Sequence, residues 1–148
     1  MANPTRGAQR IVPYLTYADA SAAIDFLCKA FGFEEQFRLD MDDGRIGHAE
    51  LSLDGNVLML ASAFPEMGLQ SPAELPALHC QVHIEVEDVD AHFARAREAG
   101  ATIAAAPEDQ PYGDRNYRAS DPEGHRWIFA THVRDVSPEE IQAAYAGQ

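Results

Sequence analysis

Several polar side chains recur at every second residue within stretches that are otherwise apolar. That spacing places them on one face of a β-strand. His48, Glu50 and Ser52 alternate with Ala49, Leu51 and Leu53, and His79, Gln81, His83 and Glu85 alternate with Cys80, Val82, Ile84 and Val86. The apolar faces must pack against other elements, which leaves the polar faces to line a cleft or meet water. Imidazoles and carboxylates gathered in this way admit three uses. They can form a hydrogen-bonded ligand pocket, a divalent-metal site built from His48, Glu50 and His83, or a network of groups that only satisfy one another. The pocket is the favoured use, because residues two apart on a strand share a face by chance too often for spacing alone to argue for a metal. Tyr14, Tyr112, Tyr117 and Trp127 add rings with polar edges, suited to a flat or cationic ligand. Arg115 and Asp114 follow Pro111-Tyr112-Gly113, where they could close over a ligand or simply pair at the surface. The candidate ligand-binding set is therefore Tyr14, His48, Glu50, Gln81, His83, Tyr112 and Arg115, with no catalytic residue assigned.

Other chemistries find no support. No Ser/His/Asp or Cys/His triad can be assembled from the spacing, and there is no Gly-rich phosphate loop. Cys28 and Cys80 match no zinc motif; both read as small buried apolar residues, and two free thiols fit a reducing cytoplasm. Eleven Lys and Arg against 24 Asp and Glu give a net charge of −13. That argues against nucleic acid or an anionic membrane surface as partner, and leaves room for a cationic ligand. No run of about 18 apolar residues could span a membrane, and Met1 to Arg10 lacks the apolar stretch of a signal peptide. At 148 residues the chain reads as one domain able to bury about two-thirds of its unfolded surface without disulfide or metal.

The elements that must position these residues repeat. A shift of 69 residues lays Asp19-Ala20-Ser21-Ala22 on Asp88-Val89-Asp90-Ala91, Ile24 on Phe93, Asp54-Gly55 on Glu123-Gly124 and Met59 on Ile128. Each unit reads strand, helix, then three strands. In the first, at about 11–62, a strand at Ile11 to Tyr17 precedes a helix with Asp19 as N-cap, Ile24, Leu27, Cys28 and Phe31 on its apolar face and Gly32 as its stop. Strands follow at Phe33 to Leu39, Ile46 to Leu53 and Val57 to Ala61, with turns at Asp42-Asp43-Gly44 and Asp54-Gly55. The second, at about 79–133, has strands at His79 to Val86, Thr102 to Ala105, Arg115 to Ser120 and His125 to His132. Its helix carries Val89, Phe93 and Ala96 and ends at Gly100, and Pro107 to Asp114 reads as a polar loop. Residues 63–78, with three prolines, form a connector able to serve as a ligand-side flap, and Ser137-Pro138 opens a helix at about 137–146.

Tandem βαβββ units resemble the vicinal oxygen chelate superfamily, the glyoxalase, bleomycin-resistance and dioxygenase fold. Tyr112-Gly113-Asp114-Arg115, Asp121-Pro122-Glu123-Gly124-His125-Arg126-Trp127 and Ala130-Thr131-His132-Val133 are similar to its PhnB-like branch, as are His48-Ala49-Glu50-Leu51 and Leu58-Met59-Leu60. The resemblance implies an α+β fold: a curved eight-stranded mixed sheet with helices on the convex side and ligands on the concave side. It implies that Trp127 faces the helices, and a two-fold homodimer that closes the grooves. The metal ligands of the superfamily's enzymes would fall at Val12, Met59, Gln81 and Ile128, where three of the four side chains offer no oxygen or nitrogen donor. The expectation is thus a metal-free, cytoplasmic protein that binds a small organic molecule in a concave groove, with an acidic balance that leaves room for a cationic one. Its rival is a metal-dependent lyase or hydrolase using a displaced His48/Glu50/His83 site; glyoxalase I and ring-cleaving dioxygenase activity are disfavoured.

Overall fold

The computed structural model describes residues 8–147; the part of the N-terminal segment before residue 8, read above as lacking a leader, lies outside the described residues. The first unit consists of β1 (Tyr14–Tyr17), α1 (Ala20–Phe31), β2 (Glu34–Asp40), β3 (Ile46–Leu53) and β4 (Asn56–Ser62). The second consists of β5 (Val82–Glu85), α2 (Val89–Glu98), β6 (Thr102–Asp109), β7 (Asp114–Ser120) and β8 (Arg126–His132), followed by α3 (Pro138–Ala144). The duplicated α+β pattern is therefore present. Its eight strands are divided into two four-stranded mixed sheets, ordered β1-β4-β3-β2 and β5-β8-β7-β6, and among the described residues no hydrogen-bonded ladder joins them.

Local chemistry sets the boundaries. Asp19 accepts from the Ala22 N–H and Asp88 from the Ala91 N–H, so each helix starts on a side-chain cap that contributes about 1 kcal/mol. Gly32 ends α1 in the left-handed conformation, with φ 84°. Two strands are shorter than the apolar pattern suggested: β1 begins at Tyr14 and β5 at Val82. Pro13 has no N–H to add to a ladder. Beyond the start of β5, Cys80 is exposed rather than buried, and Cys28 is only half-buried. In the other direction, β6 runs through Pro107 to Asp109, because bulges between Ile103 and Glu108 carry the strand past residues that read as loop.

A common core holds the two units together. Leu15, Tyr17, Ile24, Leu27, Phe31, Leu51 and Leu60 of the first join Tyr117, Trp127 and Phe129 of the second in one buried cluster. Phe31 lies 5.3 Å from Trp127 and 4.8 Å from Phe129, ring centre to ring centre. His92 on α2 reaches across to the Phe31 carbonyl, donating through Nε2 at 2.9 Å, so its Nδ1 accepts from the Tyr117 hydroxyl at 2.6 Å. Burial pushes the His92 imidazole below its ordinary value. The helix-bearing faces of both sheets contribute to this core.

A second tie is polar. The turn between β7 and β8 supplies Asp121, whose Oδ2 accepts from the Tyr17 hydroxyl at 2.7 Å and from Trp127 Nε1 at 3.1 Å. Its Oδ1 accepts the Glu123 and His125 N–H groups. Glu123 in turn receives the Ala18 and Asp19 N–H groups at the start of α1, and the hydroxyl of buried Ser71 in the connector at 2.5 Å. His125 bonds the Thr16 carbonyl. The turn of the second unit thus seats the first helix of the other unit and pins the connector.

Candidate functional site

The outward face of the first sheet is built from alternate residues. Register places Tyr14 opposite Met59, Met59 opposite Glu50, and Glu50 opposite Phe37, so these four cross the sheet in a row. Thr16 opposite Ala61, and His48 opposite Leu39, form the next. Tyr14, Phe37, Leu39 and Met41 remain between 41% and 53% exposed, an unusual concentration of apolar surface on one face. Gly47 has a structural reason here: a Cβ in its place would meet the Met41 sulfur at 2.7 Å, so its hydrogen lets Met41 lie across β3.

The connector roofs this face. Phe64 pairs with Leu69 in a small bridge around a single 3₁₀ turn, Pro65–Met67. Arg45 fixes the roof to the sheet: its guanidinium stacks 4.0 Å over Phe64 and pairs with Glu66 and Asp43, each at 2.8 Å. Beneath lies a cavity of about 480 Å³, lined mainly by Tyr14, Leu39, Met41, Phe64, Met67 and Leu69. A second hollow of about 410 Å³ lies on the other side of Tyr14 and Thr16, under Leu75 and Leu78 and beside Cys80. Both volumes suit small organic molecules.

Polar groups converge at the rim. The Tyr14 hydroxyl is 2.6 Å from His48 Nδ1, and His48 Nε2 is 3.6 Å from a Glu50 carboxylate oxygen. Glu50 is buried, at 7% exposure, whereas Tyr14 faces the groove. Desolvation first, and the Glu50 charge next, raise the Tyr14 phenol above its ordinary value. Tyr14 therefore stays protonated at neutral pH and serves in hydrogen bonding, not as a phenolate nucleophile.

Three of the seven residues singled out from sequence, Tyr14, His48 and Glu50, come together here. The other four do not join them. His83 stands on the second sheet, opposite Ile128, which is itself opposite Arg118. Gln81 precedes β5 and is exposed. Tyr112 packs on the second sheet, where its hydroxyl accepts from Asn116 at 2.7 Å. Arg115 lies on the helix-bearing side, held by Asp90 at 3.0 Å and Asp109 at 3.1 Å. At the far end of that sheet the exposed His132 sits between Asp135 and Asp114, which raise its basicity. The roof residues Phe64, Met67 and Leu69 were legible only as connector; three large apolar groups in a Pro-rich stretch were the available signal.

The metal positions carried over from the superfamily's enzymes are not a donor set. Val12 precedes β1, Gln81 precedes β5, Met59 offers a thioether that prefers soft ions, and Ile128 offers nothing. Among the described residues no three His, Cys, Asp or Glu side chains are placed to hold a metal ion, so His48, Glu50 and His83 do not meet within one chain.

Comparison with known proteins places these features in a family. The model of the Glyoxalase/Bleomycin resistance protein/Dioxygenase superfamily matches residues 9–129. An uncharacterized protein of Mycobacterium bovis is 42% identical over 139 residues, covering 92% of this chain and 91% of its own. Among solved structures, TioX from Micromonospora sp. ML1 is similar with a TM-score of 0.68 and 34% identity, covering 85% of this chain and 100% of that one. The fosfomycin resistance protein FosX of Listeria monocytogenes shares the fold, with a TM-score of 0.61 at 14% identity over 90% of this chain and 98% of its own. By the extent of that family match, and by its duplicated βαβββ units, the chain belongs to the glyoxalase/bleomycin resistance protein/dioxygenase superfamily.

Proposed function

We propose that this is a metal-free small-molecule-binding protein of the glyoxalase/bleomycin-resistance type, holding an organic ligand in the groove of the first sheet. The observation that carries the reading is the roofed apolar cavity of about 480 Å³ with Tyr14, linked to His48, at its rim. Several large side chains line space without filling it, as ligand pockets do and structural cores do not. The net charge of −13 favours a cationic ligand over an anionic one. A second copy of the chain is the partner we assign, in a two-fold dimer. The first sheet's face is apolar with a buried carboxylate, and the second's presents His83 and Arg118, so each could cover the other's counterpart. The two free thiols support a cytoplasmic location, and Asp121 to Trp127 a PhnB-like subgroup.

A thermal-shift screen of small organic molecules tests the reading, since a ligand bound only by the folded state raises Tm. The shift should vanish in Ala61→Leu, which fills the cavity, while circular dichroism stays unchanged. A shift that survives this change would place the ligand elsewhere. The rival reading, a metal-dependent lyase or hydrolase, draws on the closeness of His48 and Glu50 and would need His83 from a second copy. Calorimetry with zinc and nickel decides it: stoichiometric micromolar binding, lost in both His48→Ala and His83→Ala, would overturn the metal-free reading.

A further inference from the structure

The geometry points to Tyr14 as a hydrogen-bond acceptor toward the groove, so the ligand is a flat apolar body bearing an ammonium or N–H donor. This rests on the ligand-binding reading above and adds the chemical class. The direction follows from the chain of partners. His48 Nε2 faces the Glu50 carboxylate at 3.6 Å, beyond hydrogen-bond distance, and there the carboxylate's charge favours a proton on Nε2 over a lone pair. In a neutral imidazole the other nitrogen, Nδ1, is then an acceptor. The short contact at 2.6 Å therefore has the Tyr14 hydroxyl donating to His48 Nδ1. With its proton committed inward, the phenol oxygen keeps its lone pairs for whatever enters the groove.

The rest of the cavity agrees. Among the described residues, its lining contains no Lys, Arg or His. The nearby guanidinium, Arg45, is engaged by Asp43, Glu66 and the face of Phe64. A carboxylate or phosphate would lose its hydration there without a compensating charge. An ammonium finds the phenol oxygen and the ring of Tyr14, half exposed to the groove.

Four naphthalene probes test this by calorimetry at about pH 8: 2-methylnaphthalene, 2-naphthylmethanol, 2-naphthylmethylamine and 2-naphthoate. The expected order is amine, then alcohol, then hydrocarbon, then naphthoate, with the amine at least about tenfold tighter than the hydrocarbon. Tyr14→Phe keeps the net charge and the ring, so it should erase the amine's advantage while leaving 2-methylnaphthalene unaffected. ¹⁵N spectra should show His48 protonated at Nε2. Naphthoate binding as tightly as the amine, an amine preference that survives Tyr14→Phe, or a proton on Nδ1 would each overturn the assignment. If 2-methylnaphthalene binds without any gain for the amine, the acceptor assignment fails and the binding groove stands. If no probe binds, both fall.

Discussion

The two sheets have the same strand order and equivalent registers, yet their outward faces differ in kind. Tyr14–Met59–Glu50–Phe37 crosses the first, and His83–Ile128–Arg118–Ala105 occupies the same place on the second. One row is aromatic and thioether with a single buried carboxylate; the other carries exposed imidazole and guanidinium. A roof of connector residues covers the first. On the second, the Gln110–Gly113 turn folds inward, with Gln110 and Tyr112 bonded to Asn116. Duplication supplied two copies of one scaffold, and the difference lies almost wholly in residues that do not touch the shared core. The scaffold constrains every second side chain and leaves the alternate set to chemistry.

The comparison can be broken most forcefully at what the units share. Phe31→Ala removes the ring that lies between the two sheets and should cost about 3–5 kcal/mol, with both units lost in one transition on urea denaturation. Two separated transitions would show that the cores are independent. Asp121→Ala strands the Tyr17 hydroxyl and Trp127 Nε1 in the interior. Leaving buried donors unsatisfied should cost on the order of 3 kcal/mol, whereas Glu123→Gln, nearer the surface, should cost about 1 kcal/mol. Equal effects from the two would contradict the burial difference.

A smaller effect concerns pH. The folded-state basicity of His92 lies below its ordinary value of 6.5, so the unfolded chain takes the proton first as pH falls. Its contribution is complete above that value and is lost as pH falls through it toward the depressed folded value. The stability curve should therefore slope downward on acidification below about pH 6.5, by up to one proton's worth, and His92→Gln should flatten it. A variant slope equal to wild type would assign the acid sensitivity to other groups. The smallest expected change in stability is Met67→Ser in the exposed roof, within about 0.5 kcal/mol, although binding of a groove ligand should weaken several-fold. Unchanged affinity would remove the roof from the site.

The duplicated architecture was legible because strand alternation, the Asp19 and Asp88 caps and the Gly stops at Gly32 and Gly100 are local signals repeated at one offset. Ile46 to Leu53 has the same ends in sequence and structure, since both turns flanking it carry Asp and Gly. Pairing between sheets and across the connector left no such trace. Tyr14, His48 and Glu50 share a face because β4 inserts between β1 and β3, and no spacing rule gives that order. Arg115 looked available from its position after a flexible stretch; the parity of β7 sends it to the helix side, where Asp90 on α2 takes it. Asp121 and Glu123 read as turn residues, and they are. Their reach into the other unit depends on a tertiary approach that local pattern does not encode.

The carboxylate of Glu123 at the start of α1 has a consequence for anyone who would divide or rewire this chain. Half-proteins cut between the units would each lack a partner: the first would lose the anion that sits on its leading helix, and the second would leave Trp127 facing water. Circular permutants opened near Ser71 would sever the same fastening, although the connector looks like the natural place to cut. New termini belong at the hairpin tip of Asp42, Asp43 and Gly44, where a break disturbs little beyond Arg45 and its hold on the roof.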